Sequence, residues 1–187
     1  MRRDTYHHGD LKAVILAHAA DLVAERGADG VSLRELARAA GVSHAAPAHH
    51  FTDRRGLFTA LASEGFRLLA DALRAARPDF IDAALAYVRF ALEHPGHYAV
   101  MFEKSLYDDA DPDLVAAEAA AGAELAAGVA TLSDPHAKAD PDGAALAAWS
   151  LVHGFSTLWL NQAVNAETTG GDPMGAVERI ARMLFYG

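Results

Sequence analysis

The chain has 187 residues, 52% of them apolar, which is enough for a substantial hydrophobic core. It has no cysteine, which excludes disulfides and thiolate metal sites and suits a reduced cytoplasm. Met1–Asp10 lacks the apolar core of a signal peptide, and no apolar run reaches the roughly 20 residues of a membrane span, so we expect a cytoplasmic protein outside membranes. The net charge of −9 argues against nucleic-acid binding by the chain as a whole.

The charge is unevenly distributed along the chain. Residues 1–58 carry eight Lys or Arg against seven Asp or Glu, and they hold six of the ten histidines. The remaining residues carry a net charge of −10. A near-neutral, histidine-rich head on an acidic body indicates that only the head meets phosphate.

The first predicted helix covers Leu11–Val23, where apolar residues recur at helical spacing. Arg26 gives it a basic last turn and Gly27 a stop. Arg2 and Arg3 precede this helix as a short basic arm. Such an arm can lie along phosphates or enter a minor groove, or it can be a disordered terminus.

Residues 31–51 are predicted to form two short helices joined by a tight turn. Ser32 is a good N-cap, and Glu35 three residues later completes a capping box. Gly41 ends the first helix, and Ser43 is expected to cap the second. The spacing is typical of a helix-turn-helix, whose second helix enters the major groove of DNA. The alternative is an ordinary helical hairpin in an all-α protein.

Beyond Phe51 the chain shows helical patterns without strand signals, which predicts an all-α fold. Thr52 or Asp53 caps a long helix, and Arg54 and Arg55 fall in its first turn, where the free N–H groups and both side chains could share a phosphate. The later predicted helices cover 80–93, 97–104, 114–132, 143–164 and 174–185. The helix at 143–164 is apolar nearly all round, as expected of a helix buried on most sides.

We predict two domains. Residues 1–58 form a three-helix DNA-binding head that contains the helix-turn-helix, and residues 59–187 form a helical domain.

Several motifs resemble the TetR family of transcriptional regulators. In the head these are Gly41-Val42-Ser43, His50-Phe51, Arg54 and Leu57-Phe58. The opening Tyr6–Lys12 and the run Ser43–Pro47 resemble one subgroup, whose C-terminal domain is named for a Trp-His-Gly signature. Trp149, His153 and Gly154 are the matching residues here.

The resemblance implies an all-α homodimer that binds a palindromic operator in double-stranded DNA, usually as a repressor, and releases it when a small apolar effector enters the C-terminal domain. The last two helices would form the dimer contact as a four-helix bundle, here Gly143–Val164 and Met174–Phe185. The chain departs from the family at Ala48, where a tyrosine is usual. Pro47 would also fall at the fourth position of the second helix, where it deletes a backbone hydrogen bond.

The predicted DNA contacts combine the basic arm, a helix cap, the second helix of the motif and the following arginines. They are Arg2, Arg3, Ser32, Ser43, His44, Ala45, His49, His50, Arg54 and Arg55. Neutral histidine can donate to or accept from bases and phosphates, but it lacks the bidentate geometry of arginine on guanine. His50 could equally pack in the core beside Phe51.

The predicted effector-binding residues are Tyr98, Met101, Phe102, Trp149, His153 and Trp159. Apolar side chains with few polar groups are typical of small-molecule sites, and each of these residues could equally be plain core. His153 lies in an apolar helix and needs a hydrogen-bond partner there. Glu93, His94 and His97 have spacings that suit a metal, but the sequence His94-Pro95-Gly96 interrupts the helix. We predict neither metal nor cofactor.

No motif of a known enzyme class stands out. The chain has no G-x-S-x-G, H-E-x-x-H, P-loop or G-x-G-x-x-G pattern, so we do not expect an enzyme. The sequence favours a ligand-responsive repressor. The alternative is a helical dimer whose head has weakened or lost DNA binding, as Ala48 and the small positive charge of the head would allow.

Overall fold

The computed structural model describes residues 8–164 and 166–185, and every regular element in them is helical. The helices are α1 His8–Arg26, α2 Leu33–Ala39, α3 Ala46–Phe51, α4 Arg54–Ala75, α5 Phe80–Glu93, α6 Pro95–Met101, α7 Pro112–Val129, α8 Pro135–Ala139, α9 Pro141–Leu160, α10 Ala166–Thr169 and α11 Pro173–Phe185. A single 3₁₀ turn, Ala28–Gly30, connects α1 to α2. The all-α prediction is confirmed. No helix among these residues is both long and apolar enough to cross a bilayer.

The described residues divide into two compact units. The first runs up to Gly65 and resumes over His94–Val115, and the second takes Phe66–Glu93 and the chain from Ala116 onward. The long helix α4 contributes its first part to one unit and its last part to the other. The first unit is therefore larger than the predicted head of residues 1–58, because α6 packs against α1 within it. A functional boundary at residue 58 remains a prediction.

The close packing of α6 on α1 depends on Gly96. A Cβ at this position would lie 2.7 Å from the carbonyl carbon of Ala20 and closer still to its oxygen. The first unit's core is apolar and includes side chains from α1, α2, α3 and α4, namely Ile15, Ala19, Val23, Leu36, Phe51, Leu57, Phe58 and Leu61. These contacts fix the helix-turn-helix on a rigid base.

α4 and α6 are joined by polar and close apolar contacts within the first unit. His97 is buried, and its Nε2 lies 3.1 Å from Glu64 Oε2. Gly65 leaves space that Met101 fills, since a Cβ there would lie 2.6 Å from the Met101 sulfur. The rings of His94 and His97 meet edge-on at 5.7 Å. No group of three or more potential metal ligands occurs among the described residues.

The second unit is built on α5, α9 and α11, which pack against one another. Its core includes Phe80, Tyr87, Val88, Val152, Phe155, Val177 and Ala181. Glu124 on α7 is nearly buried and accepts from Arg74 Nε at 3.0 Å, and it also pairs with Arg77. Two cations offset the cost of burying this one carboxylate.

Most predicted helix bounds are close to those observed, and α5 matches at both ends. No helix was predicted between residues 132 and 143, yet α8 lies there. Asp134 caps this short helix by accepting from the backbone N–H groups of His136 and Ala137, and Pro135 opens it. The expectation that the 143–164 helix is buried on most sides is wrong, because one face of α9 is open.

Candidate nucleic-acid interface and effector region

The start of the helix-turn-helix follows the predicted cap only in part. Ser32 Oγ accepts from the backbone N–H of Glu35 at 3.3 Å, which confirms the N-cap. The Glu35 carboxylate does not complete the capping box. It accepts instead from Arg26 Nη2 at 2.9 Å and ties the end of α1 to α2. Gly41 takes the left-handed conformation, with φ of 67°, after α2 ends.

The second helix of the motif starts later than the sequence predicts. Ser43 does not cap it. α3 begins at Ala46 after a turn in which the Ala46 N–H donates to the Ser43 carbonyl at 3.0 Å. Pro47 consequently lies in the first turn. Backbone N–H groups in this turn have no intrahelical acceptor, so the missing N–H of proline costs no helical hydrogen bond. The predicted disruption of the helix by Pro47 is therefore wrong. Pro47 is buried and helps to anchor the helix start.

The structure places most of the predicted DNA-contacting side chains at the surface. Ser32, Ser43, His44, Ala45 and His49 are exposed. These residues can therefore reach a partner from the motif and its turn. Arg2 and Arg3 lie outside the described residues.

His50 is half-buried, with its ring centroid 6.1 Å from that of Phe51. This contact fits the alternative role in which His50 packs beside the core.

The two arginines that open α4 have different surroundings. Asp53 caps the helix by accepting from the Gly56 N–H at 2.8 Å. Arg54 turns toward the connection between α1 and α2 and donates to the carbonyls of Ala28 and Val31 at 2.8 and 3.3 Å. Arg55 is exposed, and its nearest carboxylate, Asp108 Oδ1, is 4.0 Å away. Arg55 is the more available cation.

Arg34 and Arg38 on α2 were not among the predicted DNA contacts. Both are exposed, and their spacing of four residues places them on the same side of the helix. The first helix of a helix-turn-helix crosses the DNA backbone, so its exposed arginines are candidates for phosphate contacts. A helical-wheel reading of α2 would have found them, since Leu36 and Ala37 are buried between them.

The six predicted effector residues fall into two sets, one in each unit. Tyr98, Met101 and Phe102 belong to the first unit, where Tyr98 and Phe102 meet edge-on at 5.5 Å. Met101 is buried, and its carbonyl accepts from the Tyr107 hydroxyl at 2.8 Å. Tyr98 and Met101 belong to the core of the unit that carries the helix-turn-helix, and Phe102 is half-buried.

The second set lies on α9 and contains a polar contact that the sequence did not reveal. The buried Tyr87 hydroxyl on α5 accepts from Trp149 Nε1 at 3.3 Å and lies 3.1 Å from His153 Nδ1. A hydroxyl that accepts from the indole can donate to His153 Nδ1 in the tautomer that carries the imidazole proton on Nε2. Burial lowers the pKa of His153, so the neutral form is favoured. The sequence contains one signal for this contact, the tyrosine in the apolar pattern of α5, because a buried hydroxyl needs a hydrogen-bond partner.

The remaining predicted effector residue, Trp159, stacks on Phe155 with ring centroids 6.1 Å apart. Near Tyr87, an apolar cavity of about 10 Å³ is lined by α5, α7, α9 and α11. That volume holds at most about one water molecule. A wider surface groove of about 570 Å³ runs along α8 and α9, and Leu184 lines both spaces.

Comparison with known proteins agrees with this architecture. The family described as "Bacterial regulatory proteins, tetR family" matches residues 15–61, and the one described as "Tetracyclin repressor-like, C-terminal domain" matches residues 80–184. The second match covers more than half of the chain. It does not carry the Trp-His-Gly name, so that subgroup stays a prediction.

Individual relatives point to the same family. The HTH-type transcriptional repressor AcnR of Corynebacterium glutamicum is 38% identical over 84 residues, which are 45% of this chain and 42% of AcnR. The chain thus aligns with less than half the length of this curated relative. A protein with unknown function from Rhodococcus sp. RHA1 is 36% identical with a TM-score of 0.74, over 98% of this chain and 97% of that one.

A bacterial regulatory protein in the tetR family from Rhodococcus RHA1 is only 17% identical. It nevertheless has the same fold, with a TM-score of 0.71 over 94% of this chain and 95% of that one. The two matched family regions together account for the helix-turn-helix and for α5 to α11. The chain belongs to the TetR family of bacterial regulatory proteins.

Proposed function

We propose that the protein is a cytoplasmic transcriptional repressor that binds a palindromic operator as a homodimer and leaves it when a small apolar effector binds. The observation that carries this proposal is the exposed polar surface of a capped helix-turn-helix, formed by Ser43, His44, Ala45 and His49. Exposed side chains of this size, on the second helix and in the turn before it, fit the major groove. That the protein represses transcription, and does not activate it, is supported by its similarity to the repressor AcnR.

Base and phosphate contacts are divided among different parts of the motif. His44 and His49 can hydrogen-bond to base edges, while Ala45 can contact a thymine methyl group. Arg34, Arg38 and Arg55 are exposed cations able to bind phosphates, which position the protein without reading sequence. The alternative, a helical dimer with lost DNA binding, is not favoured, because the chain belongs to a family of bacterial regulatory proteins and is similar to a named repressor.

The dimer contact is proposed on α9 and α11. The exposed large apolar side chains of these helices are Leu146, Trp149, Leu158, Met183 and Leu184, with exposed fractions of 58%, 38%, 48%, 75% and 39%. Apolar side chains clustered on two adjacent helices are typical of a protein interface. α9 and α11 pack on each other, so one pair from each subunit would make a four-helix bundle.

The effector is proposed to enter the second unit beside Tyr87, His153 and Trp149. The lining of the small cavity is apolar, while Tyr87 and His153 supply the few polar atoms that would orient a ligand. A cavity of about 10 Å³ admits no such molecule at rest, so binding requires the helices to move apart. Tyr98, Met101 and Phe102 lie in the first unit and do not belong to this proposed site.

Such a movement gives a route to induction. α4 is one continuous helix that takes part in both units, so a change in how its second part is held is transmitted to its first turn. Coupling between the two sites of about 1–3 kcal/mol corresponds to roughly 5–150-fold in operator affinity. The effector must bind one arrangement of the helices more tightly than the other. A ligand with equal affinity for both would not shift the equilibrium between them.

The proposal is tested by selecting duplexes from a random-sequence pool with the full-length protein and measuring their affinity by fluorescence anisotropy. We expect a two-fold symmetric sequence with half-sites about one helical turn, or a multiple of it, apart. Small apolar compounds that raise the melting temperature are then added to the complex, and at least one should release the duplex.

The double variant His44→Ala/His49→Ala separates sequence reading from general attraction. It should lose preference for the selected duplex over an unrelated one while keeping its salt dependence. Absence of any salt-dependent binding by the wild-type protein would contradict DNA binding and favour the alternative dimer.

A further inference from the structure

The Arg54 side chain, 43% of which is exposed, is held against the first unit by several groups at once. Nη2 donates to the Ala28 carbonyl at 2.8 Å and lies 3.5 Å from Asp29 Oδ1. Nε donates to the Val31 carbonyl at 3.3 Å. The guanidinium carbon lies 4.7 Å from the centre of the Phe58 ring, a cation–π distance. The planar fork of arginine suits this set, because its donors point in fixed directions.

The groups that Arg54 contacts define where α2 begins. Ala28–Gly30 is the 3₁₀ turn after α1, and Val31 is the buried residue directly before the Ser32 cap. Phe58, one helical turn after Arg54, is fully buried and gives the guanidinium a rigid support. Arg54 therefore joins the first turn of α4 to the entry of the helix-turn-helix.

The same contacts reduce what Arg54 can offer to DNA. Two of its donor groups are used by backbone carbonyls, and Asp29 lies close to its charge. Arg55 next to it is 60% exposed, and its 4.0 Å contact with Asp108 is longer than the 3.5 Å contact between Arg54 and Asp29. The two adjacent arginines therefore differ mainly in the backbone carbonyls that occupy donors of Arg54.

We propose that Arg54 is a positioning residue for DNA binding. It fixes the connection 28–31 against α4 and so sets the orientation of α2 and α3, while Arg55 supplies the phosphate contact of this turn. The inference rests on the proposed DNA-binding function and assigns the roles of two of its residues. Its consequence is that Arg54 governs how well α3 fits the major groove without itself neutralising a phosphate.

Lysine substitutions distinguish a positioning role from a phosphate contact. Arg54→Lys keeps the charge but has no fork to reach both carbonyls, whereas Arg55→Lys still reaches a phosphate as a point charge. The full-length wild type, Arg54→Lys, Arg54→Ala, Arg55→Lys and Arg55→Ala are compared on the selected duplex and an unrelated duplex over a range of salt concentrations.

For Arg54 we expect both variants to bind the selected duplex about tenfold more weakly, as for loss of about one charge-assisted hydrogen bond. Their salt slopes and their affinity for the unrelated duplex should match wild type, and Arg54→Lys should not rescue binding. For Arg55 we expect Arg55→Ala to lower the slope by about 0.9, the value for one phosphate, and Arg55→Lys to restore it.

Amide hydrogen exchange of residues 28–35 without DNA gives a second readout. Exchange should accelerate in both Arg54 variants and remain unchanged in both Arg55 variants. If Arg54→Ala is unfolded at the assay temperature, Arg54→Lys decides the matter alone. A reduced salt slope for Arg54→Ala with rescue by lysine, or unchanged binding by both Arg54 variants, would overturn the inference. Failure of the wild type to bind DNA would instead refute the proposed function.

Discussion

Two glycines in helices give opposite predictions for the same chemical change. At Gly96 in the first turn of α6, an added Cβ would lie 2.7 Å from the carbonyl carbon and 3.0 Å from the Cα of Ala20. Both atoms belong to the backbone of α1 and cannot rotate away. At Gly122 inside α7, an added Cβ would meet nothing within 4 Å, and the position is exposed. An alanine side chain therefore clashes with the backbone of α1 at position 96 and meets no neighbouring atom at position 122.

The expected magnitudes follow from these surroundings. Alanine in place of glycine stabilises an exposed helix interior by about 0.5–1 kcal/mol. Overpacking against a fixed backbone costs about 1–3 kcal/mol, which exceeds that gain. For a chain of this size, each kcal/mol shifts the melting temperature by about 2–4 °C. Gly122→Ala should therefore raise the melting temperature by about 1–4 °C, while Gly96→Ala, at a net cost of up to about 2.5 kcal/mol, should lower it by up to about 10 °C.

Thermal unfolding followed by far-ultraviolet circular dichroism at one protein concentration measures both variants beside wild type. Gly122→Ala is the matched control, because it makes the same substitution in a helix without a neighbour. If Gly96→Ala were as stable as Gly122→Ala, α6 would not approach α1 as closely as described, and the reasoning would be refuted.

Two further predictions concern the second unit. Met183→Glu combined with Leu184→Glu should yield folded monomers in sedimentation equilibrium, since both side chains are exposed. Val177→Glu should instead unfold the protein, because Val177 is fully buried. A dimer that survives the double change would place the contact elsewhere. Burial lowers the pKa of His153 below its usual 6.5, so the unfolded chain binds a proton more readily and stability is lost as pH falls below that value. His153→Gln should reduce the stability difference between about pH 8 and about pH 5 in urea unfolding, and an unchanged difference would contradict this assignment.

Local signals were sufficient for most helix bounds. Gly27 ends α1 and Pro78 precedes α5, and both residues act on their own backbone without help from distant contacts. The start of α3 was missed because Ser43 and Pro47 both favour a helix start, and the sequence alone does not rank them. Glu35 was misassigned for a different reason. Its partner Arg26 is nine residues away, and such a tertiary contact leaves no mark in the local pattern.

The exposure of the candidate side chains was predictable where it follows from the motif, as at His44 and His49. The role of a side chain was less predictable where it has competing uses. Arg54 has the charge and position of a phosphate contact, yet its neighbours in the fold are backbone carbonyls. The effector residues were grouped by residue type, whereas helical periodicity does not say which helices meet. Tyr98 and Trp149 consequently fall in different units.

The placement of the aromatic residues gives the protein an intrinsic optical probe. The chain has two tryptophans, Trp149 and Trp159, and both lie on α9. Trp149 is 38% exposed and donates to the Tyr87 hydroxyl, while Trp159 stacks on Phe155. Emission excited at the indole band therefore comes from one helix alone. Any event that covers α9 or separates it from Tyr87 will change the spectrum of the unlabelled protein, so assembly and effector entry can both be followed without attaching a dye.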